Sequence, residues 1–165
     1  MSTSFQLESP DFRDGDTLPL ASVHNVMGAT GENLSPALAW KNPPAGTGSF
    51  ALTMYDPDAP TGSGWWHWVV YDIPADASSL PRGAGAADGA KLPAGAKQGR
   101  TDFGTAGYGG AAPPPGHGPH RYVFTLHALS TERLDVPADA TAAYVGFMIH
   151  MSRLGSATLG ATYER

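Results

Sequence analysis

The sequence predicts a mostly-β fold in one domain spanning residues 1–165. Two observations carry this reading. Glycine (21) and proline (15) together exceed a fifth of the chain with no collagen period, the composition of short strands joined by tight turns. Four segments have strand period or strand-length apolar runs, whereas helical spacing occurs once, near the C-terminus. With 165 residues, 41% of them apolar, the chain can bury a sizeable core.

The first strand covers residues 49–56. Side chains alternate across a strand, so Phe50, Leu52, Met54 and Asp56 share a face, and Pro57 ends the ladder. The second, Trp65 to Ile73, is apolar on both faces and reads as a central buried strand, with His67 on the face of Trp65, Val69 and Tyr71. The short connection from Pro57 to Gly64 makes these two neighbours or near-neighbours. A third strand, His120 to Leu129, sets His120, Tyr122, Phe124 and Leu126 on one side and Arg121, Val123, Thr125 and His127 on the other. Between them, Gly83 to Gly110 is a long glycine- and alanine-rich stretch. Its embedded Arg100, Asp102, Phe103 and Tyr108 predict an ordered covering loop.

From Asp139 to about Arg153 the pattern turns helical. Asp139 is the expected cap, Tyr144, Phe147, Met148 and Met151 the expected apolar stripe, and Gly146 a point at which the helix could divide in two. Gly155 is expected to close it, and Ala157, Leu159, Ala161 and Tyr163 alternate as a final strand.

Asp56, His67, His120 and Tyr122 sit at strand ends beside proline-rich loops, where polar side chains build a pocket rather than a core. A carboxylate near a histidine fixes the tautomer and favours the imidazolium. Two histidines and a phenol then supply hydrogen-bond donors for an anion. Gly110, Gly116 and Gly118 would let backbone amides approach it, while Pro113, Pro114 and Pro115 shape the wall. Trp65, Trp66 and Trp68 read as core and pocket wall, and His24, His117, His127 and His150 as structural or surface groups. Asp58 reads equally as a second pocket carboxylate or as the brace of its own turn.

Enzymatic readings are weaker. Asp56, His67 and His120 could form a two-histidine, one-carboxylate metal triad for a hydrolase, but no compact ligand spacing accompanies them. Gly62-Ser63-Gly64 is not a nucleophile elbow, and phosphate-loop and dinucleotide fingerprints are missing. The expectation is a non-enzymatic protein without metal or cofactor. A net charge of −5 with no basic run argues against nucleic acid. No apolar run approaches the roughly 20 residues of a membrane span. Met1 to Ser9 has no leader character and the chain has no cysteine, so a cytoplasmic location is expected. Exposed aromatic and alanine-rich surface suggests a homodimer.

Several segments together resemble the phosphatidylethanolamine-binding protein family, also known as Raf kinase inhibitor-like proteins, and its bacterial branch in particular. They are Gly31-Glu-Asn-Leu-Ser-Pro-Ala-Leu-Ala-Trp40, Asp56-Pro-Asp-Ala-Pro60, Trp66-His-Trp68, Gly118-Pro-His-Arg-Tyr122 and Gly160-Ala-Thr-Tyr-Glu-Arg165. The resemblance implies a central antiparallel Greek-key sheet, a second smaller sheet and short C-terminal helices. It also implies an anion pocket for phosphoryl groups, phosphoethanolamine head groups or acetate. By motif, Asp56, His67, His120 and Tyr122 would be pocket residues, and Ala59, Pro60, Trp65, Gly110, Pro113 and Pro114 wall or backbone contacts. Eukaryotic members inhibit kinases or proteases, which would imply a protein partner; that transfer rests on analogy. Bacterial-branch relatives commonly read Gly-Gly-Pro-Cys-Pro-Pro where this chain has Gly109-Gly-Ala-Ala-Pro-Pro114, so a looser loop is expected at Ala111 and Ala112.

Overall fold

Three of the four segments read as strands lie side by side at the centre of a five-stranded antiparallel sheet, with the fourth at its edge, in a computed structural model that describes residues 3–165. Met1 and Ser2, part of the stretch read for a leader, lie outside the described residues. The strands, in chain order, are β1 (Gln6–Glu8), β2 (Leu38–Lys41), β3 (Ser49–Asp56), β4 (Trp65–Pro74), β5 (Ser79–Leu80), β6 (Lys97–Gln98), β7 (His120–Leu129) and β8 (Arg153–Tyr163). The large sheet runs β6-β4-β3-β7-β8 and the small one β1-β2-β5. In the large sheet β7 returns to lie beside β3, outside the β3-β4-β6 run, which is the Greek-key order.

The small sheet packs on one face of the large one. Leu7, Leu38, Trp40 and Leu80 meet Phe50, Leu52, Met54, Trp68, Phe124 and Leu126 in the main core. The other face carries a second core, where Ala51, Val69, Tyr71 and Leu129 meet Val145 and Ile149 of helix α1 (Ala142–Ser152). Because β3 and β4 are sandwiched, both of their faces are apolar, and each fully buried aliphatic side chain contributes roughly 1.5–3 kcal/mol.

Two departures from strict alternation matter. Asp72 has φ +58 and is the extra residue where β3–β4 pairing jumps from Leu52↔Val70 to Phe50↔Ile73. Its buried carboxylate accepts from Lys97 Nζ at 2.9 Å and from the Leu134 amide at 2.8 Å, tying three segments together. A second shift lies between Met54↔Trp68 and Tyr55↔Trp66, leaving His67 as the extra residue. Alternation groups His67 with Val69 and Tyr71, which belong to the second core. The bulge turns His67 the other way, to pack its ring on Tyr122 at 5.3 Å.

Four details of the C-terminal reading are corrected. One continuous helix forms, Gly146 notwithstanding, and Thr141 rather than Asp139 caps it, its hydroxyl accepting from the Tyr144 amide at 3.1 Å. Gly155 does not close the helix, because β8 begins at once at Arg153. The expected apolar stripe mostly faces outward: Ala142, Val145 and Ile149 are buried, while Tyr144, Phe147 and Met151 are 49%, 64% and 68% exposed. The helix is apolar nearly all round, so spacing alone could not identify its buried side.

Candidate functional site

Asp56 ends β3, Trp65 and His67 open β4, and His120 and Tyr122 open β7, so adjacent strands deliver all five to one end of the large sheet. They line a cavity of about 240 Å³ together with Ala59, Pro60, Pro113 and Pro114. Met27, Thr61, Phe103 and Ala112 complete the lining.

The polar arrangement is specific. Asp56 is buried, and its Oδ2 accepts from His120 Nδ1 at 2.7 Å while Oδ1 accepts from the Asp58 amide at 2.8 Å. A carboxylate bonded in this way holds the His120 ring in one orientation and leaves Nε2 as its outward nitrogen. That Nε2 lies 2.6 Å from Nδ1 of His117, an exposed residue of the proline loop. His117 therefore joins the site, contrary to its reading as a structural or surface group. His67 donates from Nδ1 to the Gly109 carbonyl oxygen at 2.7 Å, so Nε2 is the nitrogen left for the cavity. Burial pushes His67 down from 6.5 to about 4, and at neutral pH the ring is uncharged. Burial, assisted by Asp56, holds the Tyr122 phenol well above its usual range, so it stays a hydroxyl. Trp65 Nε1 is a buried donor without a partner among the described residues.

The expectation of two cationic donors is thereby changed. The neutral His67 ring, with its proton on Nδ1, offers an acceptor at Nε2. The groups free to donate are the Tyr122 hydroxyl and the Trp65 indole. Nor do Asp56 and His120 point jointly at an ion, since they bond each other. Among the described residues no group of three such side chains could hold a metal ion.

The glycines also behave differently from expectation. Gly110 does not line the cavity, and its amide donates to Asn33 Oδ1 at 2.7 Å. It must be glycine for packing, because a Cβ there would lie 2.3 Å from the Ser22 carbonyl oxygen. The Gly116 amide donates to the Arg165 carbonyl oxygen at 2.9 Å. Neither amide is available for an anion nest.

The family model described as phosphatidylethanolamine-binding protein matches residues 8–164. The chain belongs to the phosphatidylethanolamine-binding protein family. It is 56% identical over 159 residues to the UPF0098 protein YbhB of Escherichia coli K12, covering 96% of this chain and 99% of that protein. It is 48% identical over 163 residues to the E. coli protein YbcL, covering 99% and 89%. The crystal structure of YbcL, described as a new member of the mammalian family, superposes with a TM-score of 0.95 over 98% of each chain. The Chlamydia trachomatis homologue CT736 gives 0.83 at 28% identity, over 99% of each chain.

Within this member of the phosphatidylethanolamine-binding protein family, Asp58 neither lines the cavity nor merely braces its own turn. Its Oδ2 accepts from Arg121 Nε and the Arg121 amide, and its Oδ1 from the second guanidinium nitrogen, all at 2.9 Å. The Arg121 hydrogen bonds pull its carboxyl down to about 2. This clamp fixes the 57–64 loop to the start of β7, beside His120. Ala111, where a looser loop was anticipated, is fully buried and bridged to Val23, and its carbonyl oxygen accepts from the His24 amide at 2.9 Å. The long covering loop is ordered as read: Asp102 accepts from the Trp66 amide at 2.8 Å, and the Phe103 ring stands 5.3 Å from Trp65 and 5.5 Å from His67. Arg165 ties the rim, donating from Nε to the Pro113 carbonyl oxygen at 2.7 Å and from a terminal nitrogen to that of Met27 at 2.9 Å. Met27 carried no sequence signal, and Arg165 entered only as the last residue of the 160–165 segment, with no role assigned to it.

Proposed function

We propose that this chain is a non-enzymatic binding protein for a small phosphate-bearing or related anionic ligand, such as phosphoethanolamine or a phosphorylated residue of a peptide. The observation that supports this most is the bonded Asp56–His120 pair beside the uncommitted Tyr122 hydroxyl and Trp65 indole, all lining one cavity. Two neutral donors and one acceptor, His67 Nε2, match an oxyanion that keeps one proton of its own. A monohydrogen phosphate has that pattern. A cavity of about 240 Å³ suits a head group rather than a lipid with its chains, as drug-sized pockets start near 300 Å³.

The lining supports binding without chemistry. Thr61 turns its hydroxyl away, donating to the Gly64 carbonyl oxygen at 2.6 Å, and no lining hydroxyl is paired with an imidazole as an activated nucleophile would be. A role as inhibitor of a kinase or protease would use this pocket, or its rim, against a protein partner. No nucleic-acid partner is proposed, given the net charge of −5. No helix among the described residues is long and apolar enough to cross a membrane. A cysteine-free composition is compatible with the cytoplasm, where the reading places the protein. A homodimer joined through the outward face of α1 is part of the same reading, because Tyr144, Phe147 and Met151 form an exposed apolar strip there.

Native mass spectrometry of the freshly purified protein tests the ligand class. A retained phosphate or phosphomonoester agrees with the proposal. A retained neutral apolar molecule, displaced by neither phosphate nor phosphoethanolamine, contradicts it.

A further inference from the structure

The contact between His117 and His120 is unlike the other bonds of the site, because it satisfies the atom that a ligand would be expected to use. Asp56 accepts the Nδ1 proton of His120, and with Nε2 unprotonated that atom is a lone pair to which His117 Nδ1, 2.6 Å away, can donate. The two rings meet edge to face, with centroids 4.9 Å apart. Both nitrogens of His120 are then occupied within the protein, and the deepest histidine of the cavity is closed to any ligand.

His117 itself is lightly held. Its side chain is exposed, and its backbone lies between Gly116 at φ +76 and Gly118 at φ +86. Both glycines have open space where a Cβ would stand. The flanking loop is anchored behind it, by the Gly116 amide on the Arg165 carbonyl oxygen and by Arg165 Nε on Pro113. Rotating the His117 side chain into solvent breaks one side-chain hydrogen bond and disturbs no packed residue.

We propose that His117 is an intramolecular latch that occupies the ligand position on His120, and that an oxyanion binds fully only by displacing it. This rests on the anion-binding reading of the cavity. The latch makes His117 a specificity-determining residue: a ligand must offer His120 Nε2 a better partner than a neutral imidazole does. A phosphate carrying a second proton for this atom, the first being engaged at His67 Nε2, qualifies. An aliphatic group of the same size does not.

The latch predicts an effect of opposite sign from that of an ordinary binding residue. Inorganic phosphate is titrated by calorimetry into wild type, His117→Ala, His120→Ala and the double variant. A closed state held by one neutral hydrogen bond masks the site, so His117→Ala should bind phosphate about two- to tenfold more tightly than wild type. The gain should vanish in the double variant, which has no Nε2 to release. Unchanged or weaker binding by His117→Ala, with His120→Ala still impaired, overturns the latch and makes His117 a bystander or a ligand donor. If His120→Ala binds phosphate as wild type does, the anion-binding reading fails as well. The exposed position of His117 keeps the fold out of the outcome, and the His120 imidazole nitrogen resonance gives an independent readout, since only loss of the latch moves Nε2 in the unliganded protein.

Discussion

His67 donates from Nδ1 to the Gly109 carbonyl oxygen at 2.7 Å, and on the proposed reading this one bond sets which kind of anion the cavity would prefer. With burial keeping the ring uncharged until about pH 4, its Nε2 is left to the cavity as an acceptor at neutral pH. Phosphate near pH 7 retains a proton to donate there; sulfate does not. Phosphate should therefore bind at least about tenfold more tightly than sulfate at pH 7, the difference expected when a buried acceptor is left unpaired. Competition calorimetry with the two ions checks this, and equal affinities would mean that His67 is not read by the ligand.

The same titration behaviour reaches stability. Burial lowers His67 and His127 from 6.5 to about 4 each, so the folded protein resists protonation where the unfolded chain accepts it. For a histidine depressed in this way, stability is fully present above pH 6.5 and is lost as pH falls toward 4. Each group can cost up to roughly 3 kcal/mol across that window. Urea unfolding at pH 7 and pH 4.5 should show the loss. Among the described residues the His127 side chain bonds only Thr53, at 3.3 Å, and its Nδ1 has no partner, so His127→Leu should flatten the profile without touching the cavity.

Removing Asp56 should weaken both fold and site. Asp56→Ala strands the buried His120 Nδ1–H and the Asp58 amide, and about 1–3 kcal/mol of stability should disappear for the unsatisfied donors. Chemical denaturation measures this; a change below about 0.5 kcal/mol would show that the pair contributes little to the folded state.

The outward face of α1 predicts association. Wild type should sediment as a dimer at tens of micromolar, and Phe147→Glu should convert it to a monomer of unchanged stability, since Phe147 is 64% exposed. A wild-type monomer at high micromolar concentration by light scattering would rule out the homodimer.

Much of this architecture was legible in the sequence, and particular residues show where legibility stopped. Period-two spacing put Asp56 on the face of Met54, and His120 and Tyr122 on the face of Phe124, as observed, because a central strand has to match both neighbours. The same spacing misplaced His67, since a bulge adds a residue that no composition marks. Helical spacing found α1 but chose its wrong face, as apolar residues surround it. His117 looked like one more loop histidine; the local turn with positive φ at Gly116 and Gly118 brings it to His120 Nε2, a contact that no strand or helix period marks. Phe103 was read as part of an ordered cover, but its place against His67 depends on a loop path set by the Arg100–Ala106 bridge and the Asp102–Trp66 bond.

The central claim is that Asp56, His120 and Tyr122 form one anion-binding unit, and phosphoethanolamine titration by calorimetry tests it most directly. Wild type should bind with one site per chain. His120→Ala and Tyr122→Phe each remove one partner of the phosphate, and each should weaken binding by roughly ten- to hundredfold, the equivalent of about 1.5–3 kcal/mol for a bond to a charged group. Tyr122→Phe keeps the ring and its packing on His67, so its loss would belong to the hydroxyl alone. Wild-type affinity in both variants would contradict the account and leave these residues as structural polar groups at the end of a sheet.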